Sequence, residues 1–153
     1  MAASTASIHD VAAFILAKFD GPISTMKLQK LCFFGQGWSL GISGEPLFAE
    51  DFHAWKNGPV NWDLYMQHRG KYSVSSWNQG KSTRIVGFPE LIVQAMLHNY
   101  GALSGIELSE LTHRPGTPWA EARQQASVSD GQRDNSVITK HSMLEYFRRE
   151  LKD

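Results

Sequence analysis

Six histidines and one cysteine are the side chains here best suited to metal or nucleophilic chemistry, and their spacing supports neither. His9, His53, His68, His98, His113 and His141 are dispersed, with no His-x-x-x-His pair and no second cysteine to complete a zinc set. Cys32 lies inside an apolar run, where a thiol serves as a small buried hydrophobe. Being alone, it excludes an internal disulfide and suits a reducing cytoplasm. No Gly-x-Ser-x-Gly elbow and no phosphate-cradling loop occurs. Gly35-Gln36-Gly37 falls inside a helical stretch rather than after a strand, so it is not a dinucleotide fingerprint. His113, with Glu110 and Arg114 beside it, could form an acid–base cluster. Its place at a helix C-terminus, where the dipole favours a cation, explains it without chemistry. No residue pattern here advertises a reaction, and none calls for a cofactor or metal.

The elements that would position these residues are read from periodicity and capping. Ser7 and Asp10 mark a helix start, followed by Ile8, Val11, Ala12, Ile15 and Phe19 at helical spacing until Asp20-Gly21-Pro22. A second helix is expected from Ser24 or Thr25 to about Ile42. It is apolar around most of its circumference, which places it at the centre of the fold. Gly35, Gly37 and Gly41 within it each cost ~1 kcal/mol relative to alanine, a loss that close packing against another backbone would offset. Phe48 to Trp55 reads as extended. Asn57-Gly58-Pro59 ends it, and Asn61 caps a helix running to Gly70.

Residues 70–87 form a long polar loop, in which Thr83-Arg84-Ile85-Val86 is expected as a strand. Pro89 opens a helix ending at Gly101, Ser104 with Glu107 makes a capping box, and Thr117-Pro118 starts a further short helix. Val137-Ile138 follows as a short strand, then a helix from Thr139 with Met143, Leu144, Phe147 and Leu151 facing inward. The expected fold is mainly α, a single compact helical domain around a central buried helix with a minor β element. Residues 7–153 form that domain after a disordered N-terminus, 1–6.

Bulk properties agree. A chain of 153 residues, 42% hydrophobic and 11% aromatic, can bury a core without disulfides or metals. Fifteen basic residues balance fifteen acidic ones, which argues against a strong electrostatic grip on nucleic acid. No signal peptide or membrane-length apolar run is visible, so the expectation is a cytoplasmic protein with no membrane partner.

The order of several motifs resembles the Panacea domain, the SocA-like antitoxin family also described as phage-associated. The matching residues begin with Met26-Lys27-Leu28-Gln29-Lys30-Leu31 and Gln36-Gly37-Trp38. Gly44-Glu45-Pro46-Leu47-Phe48 follows, then Ala54-Trp55-Lys56-Asn57-Gly58-Pro59-Val60. Leu108-Ser109-Glu110-Leu111-Thr112-His113, Pro118-Trp119 and Ala122-Arg123 complete the set. The resemblance runs from about Ile8 to Phe147. Phe33-Phe34-Gly35 and Asn57 depart from it, standing where tyrosine or alanine is commoner. It implies an antitoxin of a type II toxin–antitoxin pair, holding a cognate protein toxin by direct contact and catalysing nothing. A proteolytic adaptor role, delivering the toxin to an ATP-dependent protease, is implied for one branch.

The alternative is a DNA-binding regulator acting on its own operon DNA. The second helix is too apolar for a recognition helix, and Arg148, Arg149 and Lys152 are offset by Glu145, Glu150 and Asp153. Gln29, Phe33, Gln36 and Leu40 share one stripe of that helix, read either as amides bonded to nearby backbone or as a polar recognition groove. Trp38, Trp55 and Trp119 are expected in the core. Tyr72 and Trp77, set among small polar residues, are the expected toxin contacts, since aromatic side chains dominate interface hot spots.

Overall fold

Side chains start most of the helices. Ser7 accepts from the Asp10 amide while Asp10 accepts from the Ser7 amide, and Ser104 and Glu107 repeat this exchange. Ser24, Asn61, Thr117 and Thr139 each accept from the amide three residues on. Such caps satisfy amides that a first helical turn leaves without partners. The helices are α1 (Ile8–Leu16), α2 (Thr25–Ser43), α3 (Trp62–His68), α4 (Phe88–Tyr100), α5 (Gly105–Thr112), α6 (Pro118–Gln125) and α7 (Lys140–Glu150). The computed structural model describes residues 6–129 and 131–152. The expected disordered N-terminus lies outside these except for Ala6, which is buried. The fold is mainly α, and no described helix is long and apolar enough to cross a membrane.

Helix α2 is the centre. Every residue from Leu28 to Leu40 is buried, enclosed by α1, α4, α5 and α7. Burial pushes the Cys32 thiol up, away from reactivity. The glycines explain how α7 comes so close. A Cβ on Gly37 would overlap the Phe147 ring, and one on Gly41 would sit 2.8 Å from the Phe147 backbone. Gly35 is looser, with Leu47 and Met96 at 3.4 and 3.6 Å.

Two small sheets tie the loops down. Strands β1 (Ile23–Ser24) and β4 (Ser73–Val74) pair antiparallel. Strands β2 (Phe52–Trp55), β3 (Gly58–Val60) and β5 (Val137–Ile138) form an antiparallel sheet in the order β3-β2-β5. Trp55 pairs with Gly58, so Lys56-Asn57 is a two-residue hairpin loop. The Asn57-Gly58-Pro59 turn is therefore half strand. Proline is tolerated because β3 is an edge.

The expected strand at Thr83–Val86 is replaced by a single 3-10 turn, Ser82–Arg84. Among the described residues no strand pairs with this segment. Residues 77–84 instead dock on α1. Trp77 is 6% exposed, and its indole nitrogen donates to His9 Nδ1 at 3.0 Å. The Lys81 amide donates to Asp10 Oδ1 at 2.8 Å, and a Cβ on Gly80 would overlap the His9 carbonyl. Trp77 belongs to the core and lacks the exposure that made it a contact candidate. Tyr72, 85% exposed, retains it.

Candidate functional site

The two buried glutamines of α2 resolve their own ambiguity. Gln29 accepts from the Asn61 amide at 2.8 Å and donates to the Asn61 carbonyl at 3.1 Å. Gln36 makes the same clasp on Leu47 and Phe48, at 2.7 and 2.8 Å. Each side-chain amide replaces a peptide partner, so the stripe holds backbone rather than forming an open polar groove. With its orientation fixed, Gln29 Nε2 also donates to His68 Nε2 at 3.0 Å, leaving the His68 proton on Nδ1. Burial, joined by the nearby Lys30 charge, lowers the His68 pKa and favours that neutral ring.

The C-terminal motif residues converge on the β2–β3 hairpin. Four consecutive carbonyls are each met by a different side chain. Arg123 donates to Ala54 at 2.8 Å, and Trp119 donates from its indole nitrogen to Trp55 at 2.6 Å. His113 Nε2 lies 3.2 Å from the Lys56 carbonyl, and the Ser109 hydroxyl donates to Asn57 at 2.7 Å. Two rings and a guanidinium crowd together: His113 and Trp119 centroids are 3.9 Å apart with the rings tilted by 43°, and the Arg123 guanidinium lies 5.0 Å from the Trp119 centroid. His113 bridges the loop and its own helix, with Nδ1 2.6 Å from the Ser109 carbonyl on the other side of the ring.

The remaining motif residues are dispersed by comparison. Leu28 is fully buried, Pro59 and Val60 are buried in β3, and Pro46 is exposed. Trp38 packs edge-on against Tyr100 at 5.8 Å, its indole nitrogen without an acceptor among the described residues. Lys27 donates to the Gly101 carbonyl at 2.6 Å, and burial lowers its pKa against the pull of Glu107.

Lys30 is the unexpected one. It is 2% exposed, and a Cβ on Gly58 would stand 2.6 Å from its Cε. Gly58, with φ +119°, therefore provides both the turn and the space above Lys30. Burial lowers the Lys30 pKa to about 8. Lys30 also lines a cavity of about 930 Å³ framed by the start of α2, the hairpin, α3 and residues 133–135. Trp55, Trp62 and Tyr65 share its lining; Trp55 and Tyr65 centroids are 5.0 Å apart, edge to face. Trp55 is thus half-buried rather than core, held by a bond from its indole nitrogen to Asn135 at 2.9 Å.

A neighbouring cavity of about 470 Å³ shares Met26 and Asn57 with the first and extends past Ile106. Around the two stand Ile106 and Trp62, 67% and 49% exposed, with Met66 one turn beyond Trp62 and also exposed. The Tyr72 carbonyl accepts from the Thr25 amide at this edge, at 2.8 Å. Such a setting buries apolar and cationic groups against a ligand. Among the described residues no three His, Cys, Asp or Glu side chains are placed to hold a metal. Sequence reasoning named Lys30 only as a motif residue and missed Trp62, Tyr65 and His68 as site residues. The i, i+3 spacing of Trp62 and Tyr65 after the Asn61 cap was the available signal.

The model of the family of SocA-like antitoxins with a Panacea domain matches residues 28–120, from α2 into α6. Antitoxin SocA of Caulobacter vibrioides is 30% identical over 118 residues. The match covers 67% of this chain and 61% of that protein, so the chain spans about three fifths of the relative's length. No solved structure matches the chain.

Proposed function

The chain belongs to the SocA-like antitoxin family with a Panacea domain, and from that premise we propose that it neutralises a cognate protein toxin by direct contact. The observation that carries this reading is the exposed apolar surface gathered at one place. Trp62 and Ile106 line two adjoining cavities built by the hairpin and α2, and the exposed Tyr72 is tied through its carbonyl to Thr25 at the rim of the larger one. Exposed apolar side chains beside a cavity are the kind of surface that association buries. A standard interface buries about 1,600 Å² in total, about half of it on each partner. The chain contributes no reaction of its own, and blocking the toxin is its mode of action. The burial of α2 supports protein binding over the DNA-regulator alternative, because an enclosed helix has no face to lay in a major groove.

Co-expression with the product of the adjacent gene tests this, scoring growth rescue and co-purification together. Rescue with a stable complex is the expected result. Rescue with no complex and with the toxin disappearing would replace blocking by delivery to an ATP-dependent protease. Neither toxicity nor complex would sink the reading; a mobility shift on the chain's own promoter across a salt series would then be the next measurement.

A further inference from the structure

We propose that the cavity beside the hairpin is a receptor for one carboxylate, carried by an acidic side chain of a protein partner, with the Lys30 ammonium as its counter-ion. This deepens the antitoxin reading and rests on it for the partner being a protein. Lys30 is 2% exposed, yet among the described residues its ammonium makes no hydrogen bond or ion pair. The described ion pairs, Arg84 with Asp10 and Lys140 with Asp51, lie elsewhere. An ammonium left with little water and no protein partner is costly, and a methionine would fill the same space without that cost. Lys30 Nζ is not fully enclosed and remains open to the cavity. The hairpin nonetheless makes room for it, since any side chain at position 58 would collide with Lys30.

The surroundings favour an anion. Lys56, Arg69 and Arg133 line the cavity with Lys30, whereas Asp134 is the one carboxylate there and already accepts from the Ser136 amide at 3.1 Å. His68 cannot serve as a competing acceptor for Lys30 through Nε2, which already accepts from Gln29. Trp55, Trp62 and Tyr65 would shield an incoming carboxylate from water, strengthening its attraction to the ammonium. The space also exceeds what a free anion needs. The two cavities join at Met26 and Asn57, and the exposed Ile106 and Trp62 flank them, as suits a chain segment with apolar residues on either side of the acid.

The test uses two probes on the full chain. N-acetyl-Leu-Glu-Leu-amide should shift the Trp55 and Trp62 indole resonances, and its glutamine counterpart should bind roughly tenfold more weakly or less. Lys30→Met should lower affinity for the adjacent gene product by roughly tenfold or more while its melting temperature holds or rises. Equal binding of the glutamate and glutamine peptides would overturn the receptor, and needs no variant. Inorganic phosphate displacing the peptide at equal concentration would overturn the protein source in favour of a free anion. Equal affinity of wild type and K30M for the gene product overturns the carboxylate site and leaves the antitoxin reading standing. Failure of wild type to bind that product sinks the antitoxin reading, while the peptides still decide the cavity.

Discussion

The two halves of α2 are equally buried, but against different things. Toward the C-terminus, Gly37 and Gly41 let Phe147 of α7 touch the helix, and Phe33 and Phe34 complete the contact with ring centroids 6.0 Å from that of Phe147. Toward the N-terminus, Gln29 and Lys30 are buried under a hairpin and beside a cavity. The first half is enclosed because shape demands it. The second is enclosed although chemistry opposes it, since an ammonium and the Gln29 side-chain amide are carried inside. Low exposure therefore does not separate core from site; the partners of the buried atoms do. If that distinction holds, damage to one end should read out as lost stability and damage to the other as lost affinity.

The largest effect belongs to the packed side of the molecule. Trp77→Ala should destabilise by about 3–5 kcal/mol in urea denaturation, removing a buried ring and the bond to His9. A stability change below about 1 kcal/mol with weakened partner binding would return Trp77 to the surface. Next, Gly41→Ala should cost about 2–3 kcal/mol, because its Cβ meets Phe147 backbone that cannot step aside. Gly35→Ala is the control three and a half ångströms from flexible side chains, and should be neutral or stabilising by up to ~1 kcal/mol.

At the other end the sign reverses. Lys30 titrates at about 8 in the folded chain and near 10.5 when unfolded, so the unfolded state binds more protons between these values. The penalty is in full force below pH 8 and is relieved as pH rises toward 10.5. Lys30→Met should therefore raise stability at pH 7 by roughly 1–3 kcal/mol, and its advantage should shrink above pH 8. His68, Lys56, Arg69, Arg133 and Asp134 around the cavity are common to both proteins and cancel in that comparison. An advantage that stays flat from pH 7 to 10 would show Lys30 to be neutral or paired throughout. The smallest stability change is expected for Tyr72→Ala, within ~0.5 kcal/mol because the ring is 85% exposed, alongside a loss of partner affinity of about 1–2 kcal/mol.

What was legible in the sequence was local. The caps at Ser7, Ser24, Asn61, Ser104 and Thr117 depend on residues three apart, and the all-round apolar character of α2 is a property of one segment. The glycines signalled a close approach, although nothing local named Phe147 as the visitor. Trp77 misled because its neighbours are polar, while the partner that buries it, His9, lies 68 residues away. Lys30 was visible only as a motif residue. Its burial arises only when Gly58 folds over it, a contact between segments 28 residues apart. The same holds for the hairpin clamp: His113, Trp119 and Arg123 were visible as motif residues, but their shared target was not.

That clamp has a consequence for how the sheet meets other chains. β3 is its outer strand, only three residues long, and Pro59 at its middle has no amide hydrogen to offer. The carbonyls from Ala54 to Asn57 are engaged by side chains of α5, α6 and the turn between them. An extended segment from another molecule therefore finds only a short, interrupted ladder along β3, and that edge of the hairpin is guarded against strand-by-strand aggregation. Whatever docks on this face has to be recognised by the side chains it meets, not by the backbone it could copy.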